Sequence, residues 1–174
     1  MHKRKEQQSA TPIRELTMRD LELFSIGDGI GIPTLREVLE TIAPPAMVYV
    51  EIKASAIEPL VVRCIRESPA SCAVHSFDHR IVRNVKKIFP AVRTGVLEVA
   101  RHIEPVAALV ATGAQDLWQQ VDYIDEELVA NAHSIGARVI AWTANDPMQW
   151  QNLIALGVDG ICTDNIGELS AALR

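Results

Sequence analysis

The sequence has few aromatic residues, no excess of basic residues and no long apolar run. Aromatic side chains make up 5% of its 174 residues, and the formal net charge at pH 7 is −5. This charge gives no electrostatic reason to expect binding to nucleic acid. No stretch reaches the roughly 18 consecutive apolar residues of a membrane span, so we expect no transmembrane segment.

Cysteine is also scarce. Cys64, Cys72 and Cys162 are an odd number of cysteines and lack the spacing of metal ligands. We therefore expect reduced, buried thiols, as in cytosolic proteins. No apolar run follows the basic residues near the N-terminus, so no signal peptide is predicted and the cytoplasm is the predicted location.

The composition is otherwise that of a globular protein. Hydrophobic residues make up 48% of the chain and charged residues 22%, and its length suits one domain with a sizeable core. Residues 1–12 are polar and lack periodicity, so we expect a solvated tail there. Residues 13–174 are predicted to form a single domain.

Short β-branched runs alternate with amphipathic helical segments along this domain. Helix starts are marked by capping residues, among them Thr17 with Asp20 and Thr34 with Glu37. Six strands are predicted, at residues 47–53, 72–77, 92–97, 116–121, 138–143 and 160–163. Strands that alternate with helices in this way form parallel sheets with right-handed crossovers.

Such a sheet is either doubly wound or part of a (β/α) barrel. No glycine-rich dinucleotide fingerprint follows a strand, which weakens the doubly wound alternative. Charged or polar residues end nearly every strand, where barrels carry their functional groups: Glu51, Lys53, Ser76, Glu98, Thr143, Thr163 and Asp164. We therefore predict a TIM-barrel type fold with about six of its eight βα units. Its two open edges predict poor solubility, pairing with another copy, or a segment supplied from elsewhere.

The first predicted strand ends in two charges. Alternate residues of a strand face the same side, so Glu51 and Lys53 should project together beside Tyr49. A buried strand rarely ends in charges that nothing requires. The pair predicts a binding site, although an internal ion pair that closes the barrel is the alternative.

Five segments together resemble one family. They are residues 32–39 (IPTLREVL), 50–53 (VEIK), 74–78 (VHSFD), 139–145 (VIAWTAN) and 157–164 (GVDGICTD). Their order and spacing resemble the glycerophosphodiester phosphodiesterases over roughly residues 9–174. The resemblance implies a TIM barrel of the phospholipase C-like phosphodiesterase type. It also implies hydrolysis of a small-molecule glycerophosphodiester to glycerol 3-phosphate and an alcohol, with a divalent metal such as Mg²⁺ or Ca²⁺.

The resemblance also implies roles for individual residues. Glu51 matches a metal-binding carboxylate of the family, and Lys53 matches the lysine that lines the phosphate pocket. Trp142 matches an aromatic residue near the glycerol end of the substrate. Phe77 lies in a Ser-Phe motif near the barrel mouth, and Asp164 follows the last strand as in the family.

The family's front motifs are not found. The His-Arg-Gly, Glu-x-Asp and His-Asp motifs carry its catalytic histidines and two of its three metal carboxylates, so no catalytic residue is assigned here. The five histidines of the chain are expected to have structural or surface roles: His2, His75, His79, His102 and His133. Glu51 alone is an incomplete ligand set for a cation that prefers about six oxygens. Little or no activity is therefore expected from this chain by itself.

Two other hypotheses stay open at this point. An incomplete barrel could be a non-catalytic binding module that self-associates through its unpaired edges, as a homo-oligomer. Alternatively, residues 157–164 could belong to an unrelated phosphate-binding barrel. That hypothesis places the phosphate near the last two strands rather than at Glu51 and Lys53.

Overall fold

A computed structural model describes residues 11–42 and 44–173. Within these residues, six strands form one sheet: β1 (Met47–Glu51), β2 (Ser71–Ser76), β3 (Arg93–Glu98), β4 (Asp116–Gln120), β5 (Arg138–Trp142) and β6 (Gly160–Ile161). All six predicted strands are confirmed to within about two residues. Residues 1–10 of the predicted tail lie outside the described residues.

The helices follow the predicted pattern as well. The described α-helices are α1 (Met18–Leu21), α2 (Leu35–Thr41), α3 (Glu58–Glu67), α4 (His79–Ile88), α5 (Ala107–Thr112), α6 (Glu126–Ser134), α7 (Pro147–Leu156) and α8 (Ile166–Ala172). Both predicted capping boxes form, at the start of α1 and of α2. None of the described helices is long and apolar enough to cross a membrane.

The strand order separates the two fold alternatives. The strands lie in chain order from β1 to β6, and every neighbouring pair is parallel. A doubly wound sheet reverses its strand order at a switch point, whereas a barrel adds each strand beside the previous one. The sheet is therefore of the barrel type, and it curls into a half-barrel.

The helices cover the convex side of this sheet. Val74 of β2 is fully buried against Val62 and Val85 of α3 and α4. Val96 of β3 and Val139 of β5 belong to the next apolar cluster along the sheet. Alternate strand residues thus form the hydrophobic core, and the remaining residues of each strand face the concave side.

A charged cluster crosses the concave side near the start of the strands. Asp116 is 0% exposed, and Arg93 and Arg138 both donate hydrogen bonds to its carboxylate, at distances from 2.6 to 3.0 Å. Arg138 also donates to the hydroxyl of Tyr49 on β1, at 2.8 Å. This bond joins the fifth strand to the first and holds the curl of the sheet. The hydrogen bonds to Asp116 raise the pKa of Arg138.

An aromatic layer lies next to the charged cluster. The Trp118 ring makes edge contacts with Tyr49 and His75, with ring centroids 5.0 and 4.5 Å apart. A Cβ atom at Gly95 would lie 2.9 Å from Cδ1 of Trp118. Glycine is therefore required at position 95 because the indole occupies the space of a side chain.

Candidate functional site

Glu51 and Lys53 lie together at the C-terminal end of β1. Nζ of Lys53 is 3.4 Å from Oε2 of Glu51, and the lysine side chain is 78% exposed. The pair therefore opens to solvent and is not an ion pair buried inside the barrel. The other carboxylate oxygen, Oε1 of Glu51, is buried and has no hydrogen-bond partner.

A cavity adjoins this pair. It has a volume of about 360 Å³ and is lined by Glu51, Ile52, Lys53, Ser76, Phe77 and Asp78. Half of Phe77 is exposed. Its ring meets Trp142 edge to face, with centroids 5.6 Å apart. The structure thus gathers three of the four predicted site residues around one cavity and places the fourth, Trp142, against Phe77.

The indole of Trp142 is fixed by a hydrogen bond to the neighbouring strand β4. Its Nε1 donates a hydrogen bond to the backbone oxygen of Trp118, at 3.0 Å. This bond and the Phe77 contact restrict the ring before any ligand arrives. An aromatic wall of this kind suits the carbon skeleton of a small polar molecule.

A buried histidine, His75, lies beside Glu51 at the end of the neighbouring strand. It is the register partner of Glu51 on the neighbouring strand, so both side chains face the concave side. The residue is 8% exposed, and its Nδ1 atom is buried without a partner. Burial lowers the pKa of His75, opposed by the negative charges of Glu51 and Asp116. His75 lies two residues before Phe77 in the sequence, and this spacing places both side chains on the same face of the strand because alternate residues share a face.

Three other histidines have oxygen partners outside this site, and their structural or surface role stays a prediction. His102 and His133 are paired through Nε2 with the carboxylates of Glu98 and Asp159, each at 2.8 Å. Nε2 of His79 lies 3.2 Å from the backbone oxygen of Leu97. His2 lies outside the described residues. Glu98 therefore contacts histidines on the outer side of the sheet and does not belong to the concave site, because it occupies the opposite side of its strand from Leu97.

Polar groups after β6 are bound to one another. Asn145 donates to the Asp164 carboxylate at 2.8 Å and accepts from the hydroxyl of Thr163 at 3.1 Å. The backbone N–H of Asp164 also donates to Asn145, at 2.9 Å. These bonds fix the loop beyond the last strand and tie one carboxylate oxygen of Asp164 to Asn145.

The fit of these residues to a divalent metal is partial. In residues 11–42 and 44–173, no group of three or more histidine, cysteine, aspartate or glutamate residues is arranged to hold a metal ion. Oε1 of Glu51 does offer one buried, unpartnered oxygen of the kind that hard cations prefer. The described residues can therefore supply part of a ligand set, and water or substrate oxygens would have to supply the rest.

Comparison with known proteins identifies the family of this chain. The sequence model of the glycerophosphoryl diester phosphodiesterase family matches residues 2–168. The chain belongs to this family. Family members are hydrolases, and the predicted resemblance is confirmed. The hypothesis of an unrelated phosphate-binding barrel is therefore wrong.

Individual relatives agree with the family match. The chain is 29% identical over 168 residues to the glycerophosphodiester phosphodiesterase of Caldanaerobacter subterraneus subsp. tengcongensis, covering 88% of this chain and 69% of that protein. It resembles the glycerophosphodiester phosphodiesterase structure from Thermotoga maritima at 24% identity, with a TM-score of 0.73 and coverage of 93% and 71%.

A second similar structure was solved with a ligand. It is a phosphodiesterase from Oleispira antarctica in complex with the product sn-glycerol-3-phosphate, 21% identical with a TM-score of 0.76. That comparison covers 82% of this chain and 62% of the other protein. At these identities the structural likeness supports the barrel fold, and the chain spans only part of the length of its relatives.

Proposed function

We propose that this chain binds a glycerophosphodiester and hydrolyses it slowly to glycerol 3-phosphate and an alcohol, with a divalent metal. The observation that carries the proposal is the open Glu51–Lys53 pair beside a cavity at the strand ends. Barrel enzymes place their reacting groups at this end of the sheet. Membership of the phosphodiesterase family supports the substrate class.

Each site residue has a separate role in this proposal. The ammonium group of Lys53 would contact an anionic phosphate oxygen, since it is solvent-exposed and points to the cavity. The exposed face of Phe77, backed by Trp142, would pack against the glycerol carbons. Glu51 would hold a divalent ion, which neutralises phosphate charge when bound.

We propose a slow reaction because few groups at this cavity can move a proton. Hydrolysis adds water across a phosphorus–oxygen bond, and the departing alcohol oxygen must gain a proton. The lining residues are one lysine, two carboxylates, a serine and two apolar residues. Asp78 is tied to Arg80 by bonds of 2.7 and 2.9 Å, and this interaction lowers the pKa of Asp78 to about 2.

The test is a direct assay of the purified chain. We expect release of glycerol 3-phosphate from glycerophosphocholine in the presence of Mg²⁺ or Ca²⁺, and we expect EDTA to stop it. The rate should be far below that of the Caldanaerobacter enzyme measured in parallel. A folded chain that releases no product with any metal would refute hydrolysis. Release that EDTA does not affect would refute the metal dependence.

Self-association is a second candidate function, favoured by the edges of the sheet. Among the described residues, β1 pairs with β2 alone and β6 pairs with β5 alone. Met47, on the edge strand β1, is 41% exposed. Unpaired edge strands with apolar residues are templates for pairing with a second copy. We propose that two copies of the chain associate through these edges.

This association can be measured by light scattering over a concentration series. We expect dimers in the wild type and a shift towards monomer in the Met47→Lys variant, since an edge lysine opposes strand pairing. Ile103→Lys is the matched control because Ile103 is 98% exposed in the loop before α5. A monomer at every concentration would argue against the dimer.

The cytoplasm is the proposed location. The three cysteines are unpaired in the structure, which is usual where thiols are kept reduced.

A further inference from the structure

We propose that this site binds a glycerophosphodiester whose glycerol carries an acyl chain, that is, a lysophospholipid, and that the chain lies on apolar side chains at the mouth of the barrel. These side chains, here called the mouth band, are Phe77, Val99 and Trp142. The inference rests on the proposed function for the position of the phosphate at Lys53. It adds the nature of the group that is bonded to the glycerol.

The mouth band lies one layer above the aromatic layer of the concave side. Each of its members follows, by two positions, a residue of that side: His75, Leu97 and Ile140. Because alternate residues of a strand share a face, the mouth band faces the concave side as well, at the strand ends where Glu51 and Lys53 lie. Trp142 also packs against the buried apolar residues of the layer below it.

The position of Val99 agrees with this assignment. Val99 directly follows the end of β3 at Glu98. The cavity on the outer side of this strand end is lined by Glu98, Arg101 and His102, but Val99 does not line it. Val99 is 53% exposed, so its side chain is available to a ligand at the mouth.

The mouth is charged on one side and apolar on the other. Glu51 and Lys53 on β1 line the same cavity as Phe77, which follows β2. Val99 continues the apolar surface beyond β3, and Ile103, in the same loop, is 98% exposed. A ligand that matches both sides has a phosphate at one end and a hydrocarbon chain at the other.

Unmodified glycerol matches the mouth band poorly. Its two free hydroxyl groups need hydrogen-bond partners once water is displaced. Phe77 and Val99 have no polar side-chain atom, and Nε1 of Trp142 already donates to the backbone oxygen of Trp118. An acyl ester removes one hydroxyl group and supplies apolar surface that these side chains can cover.

The proposed hydrolysis would leave the acyl chain on the phosphate product. Water adds to phosphorus, the phosphorus–oxygen bond to the alcohol breaks, and the alcohol oxygen gains a proton. With lysophosphatidylcholine, the products are therefore an acylglycerol phosphate and choline. Release of choline can be measured in the same way for this substrate and for glycerophosphocholine.

The first experiment compares two ligands that differ only in the acyl chain. They are glycerophosphocholine and a short-chain lysophosphatidylcholine that stays monomeric in solution. Calorimetry on the whole chain in EDTA measures the binding of each ligand without consuming it. We expect the acylated ligand to bind about a hundredfold more tightly, as the burial of a few methylene groups would give.

Variants at Val99 test whether the mouth band makes this contact. Val99→Asn should lower the preference for the acylated ligand by about tenfold, whereas Val99→Leu should keep it. Val110→Asn is the matched control, because Val110 is 69% exposed on α5, on the convex side of the sheet. Near-UV circular dichroism of the tryptophans shows whether each variant keeps its packing.

The outcomes separate this inference from the proposed function. Equal binding of the two ligands, no binding of either, or a preference that survives Val99→Asn would overturn the inference. Choline release from glycerophosphocholine with Mg²⁺ or Ca²⁺ would leave the proposed hydrolysis standing in each case. Preferential binding of the acylated ligand without choline release from either would support the inference and refute the hydrolysis. If Val99→Asn changed self-association but not ligand preference, the mouth band would be a contact between copies, and the inference would be wrong.

Discussion

The Glu51→Gln variant is expected to lose its metal-dependent hydrolysis and to fall to the rate of the metal-free reaction. A metal at a phosphoryl group provides several kcal/mol of charge stabilisation, and about 2.7 kcal/mol corresponds to a factor of about 100 in rate. Glutamine keeps the shape of the side chain but replaces one carboxylate oxygen with an N–H donor. Release of glycerol 3-phosphate from glycerophosphocholine, with and without EDTA, measures the loss.

The control is the removal of a carboxylate elsewhere. Glu104 is exposed and lies in the loop before α5, away from the cavity at β1. Glu104→Gln should therefore retain the wild-type rate. If Glu51→Gln retained its metal-dependent rate as well, Glu51 would not be a metal ligand, and the reaction would take place elsewhere on the barrel.

The Asp116→Asn variant should be strongly destabilised. Asp116 is buried and is held by Arg93 and Arg138, whose side chains are 31% and 36% exposed. Removing one partner from a buried ion pair costs about 3–5 kcal/mol because a charge is left uncompensated. The partial exposure of both guanidinium groups points to the lower end, about 3 kcal/mol. The midpoint of urea unfolding, followed by tryptophan fluorescence, measures this change.

An exposed ion pair is the matched comparison. Arg36 and Glu67 are 2.6 Å apart with side chains 50% and 47% exposed. Glu67→Gln should change the free energy of unfolding by less than about 1 kcal/mol, since water solvates both groups after the change. Equal effects of the two substitutions would show that the Asp116 cluster does not hold the curl of the sheet.

The barrel type of the fold could be predicted from local patterns. The capping box of Thr34 and Glu37 marks the start of α2, and the Asp146–Pro147 pair marks the start of α7. Such signals depend on a few neighbouring residues, so they are visible in the sequence. The pairing of Glu51 with Lys53 was predictable for the same reason, because alternation along one strand sets it.

The sides of the sheet on which Glu98 and His75 lie could be assigned only once the side of each strand that packs against the helices was known. Both lie near the end of a strand and both are polar, yet Glu98 binds His102 on the outer side while His75 faces Glu51. Which side a residue occupies depends on the parity of its position, and a shift of one residue reverses it.

The sequence by itself determined the order of the strands and helices, their caps and the charged end of β1. Tertiary structure alone decided how the buried charge of Asp116 on the concave side is compensated and how β5 is joined to β1 across that side. Arg138 reaches Asp116 and Tyr49, residues 22 and 89 positions earlier in the chain. These contacts depend on the curl of the whole sheet, because charges far apart in sequence meet only when six strands wrap around a common interior.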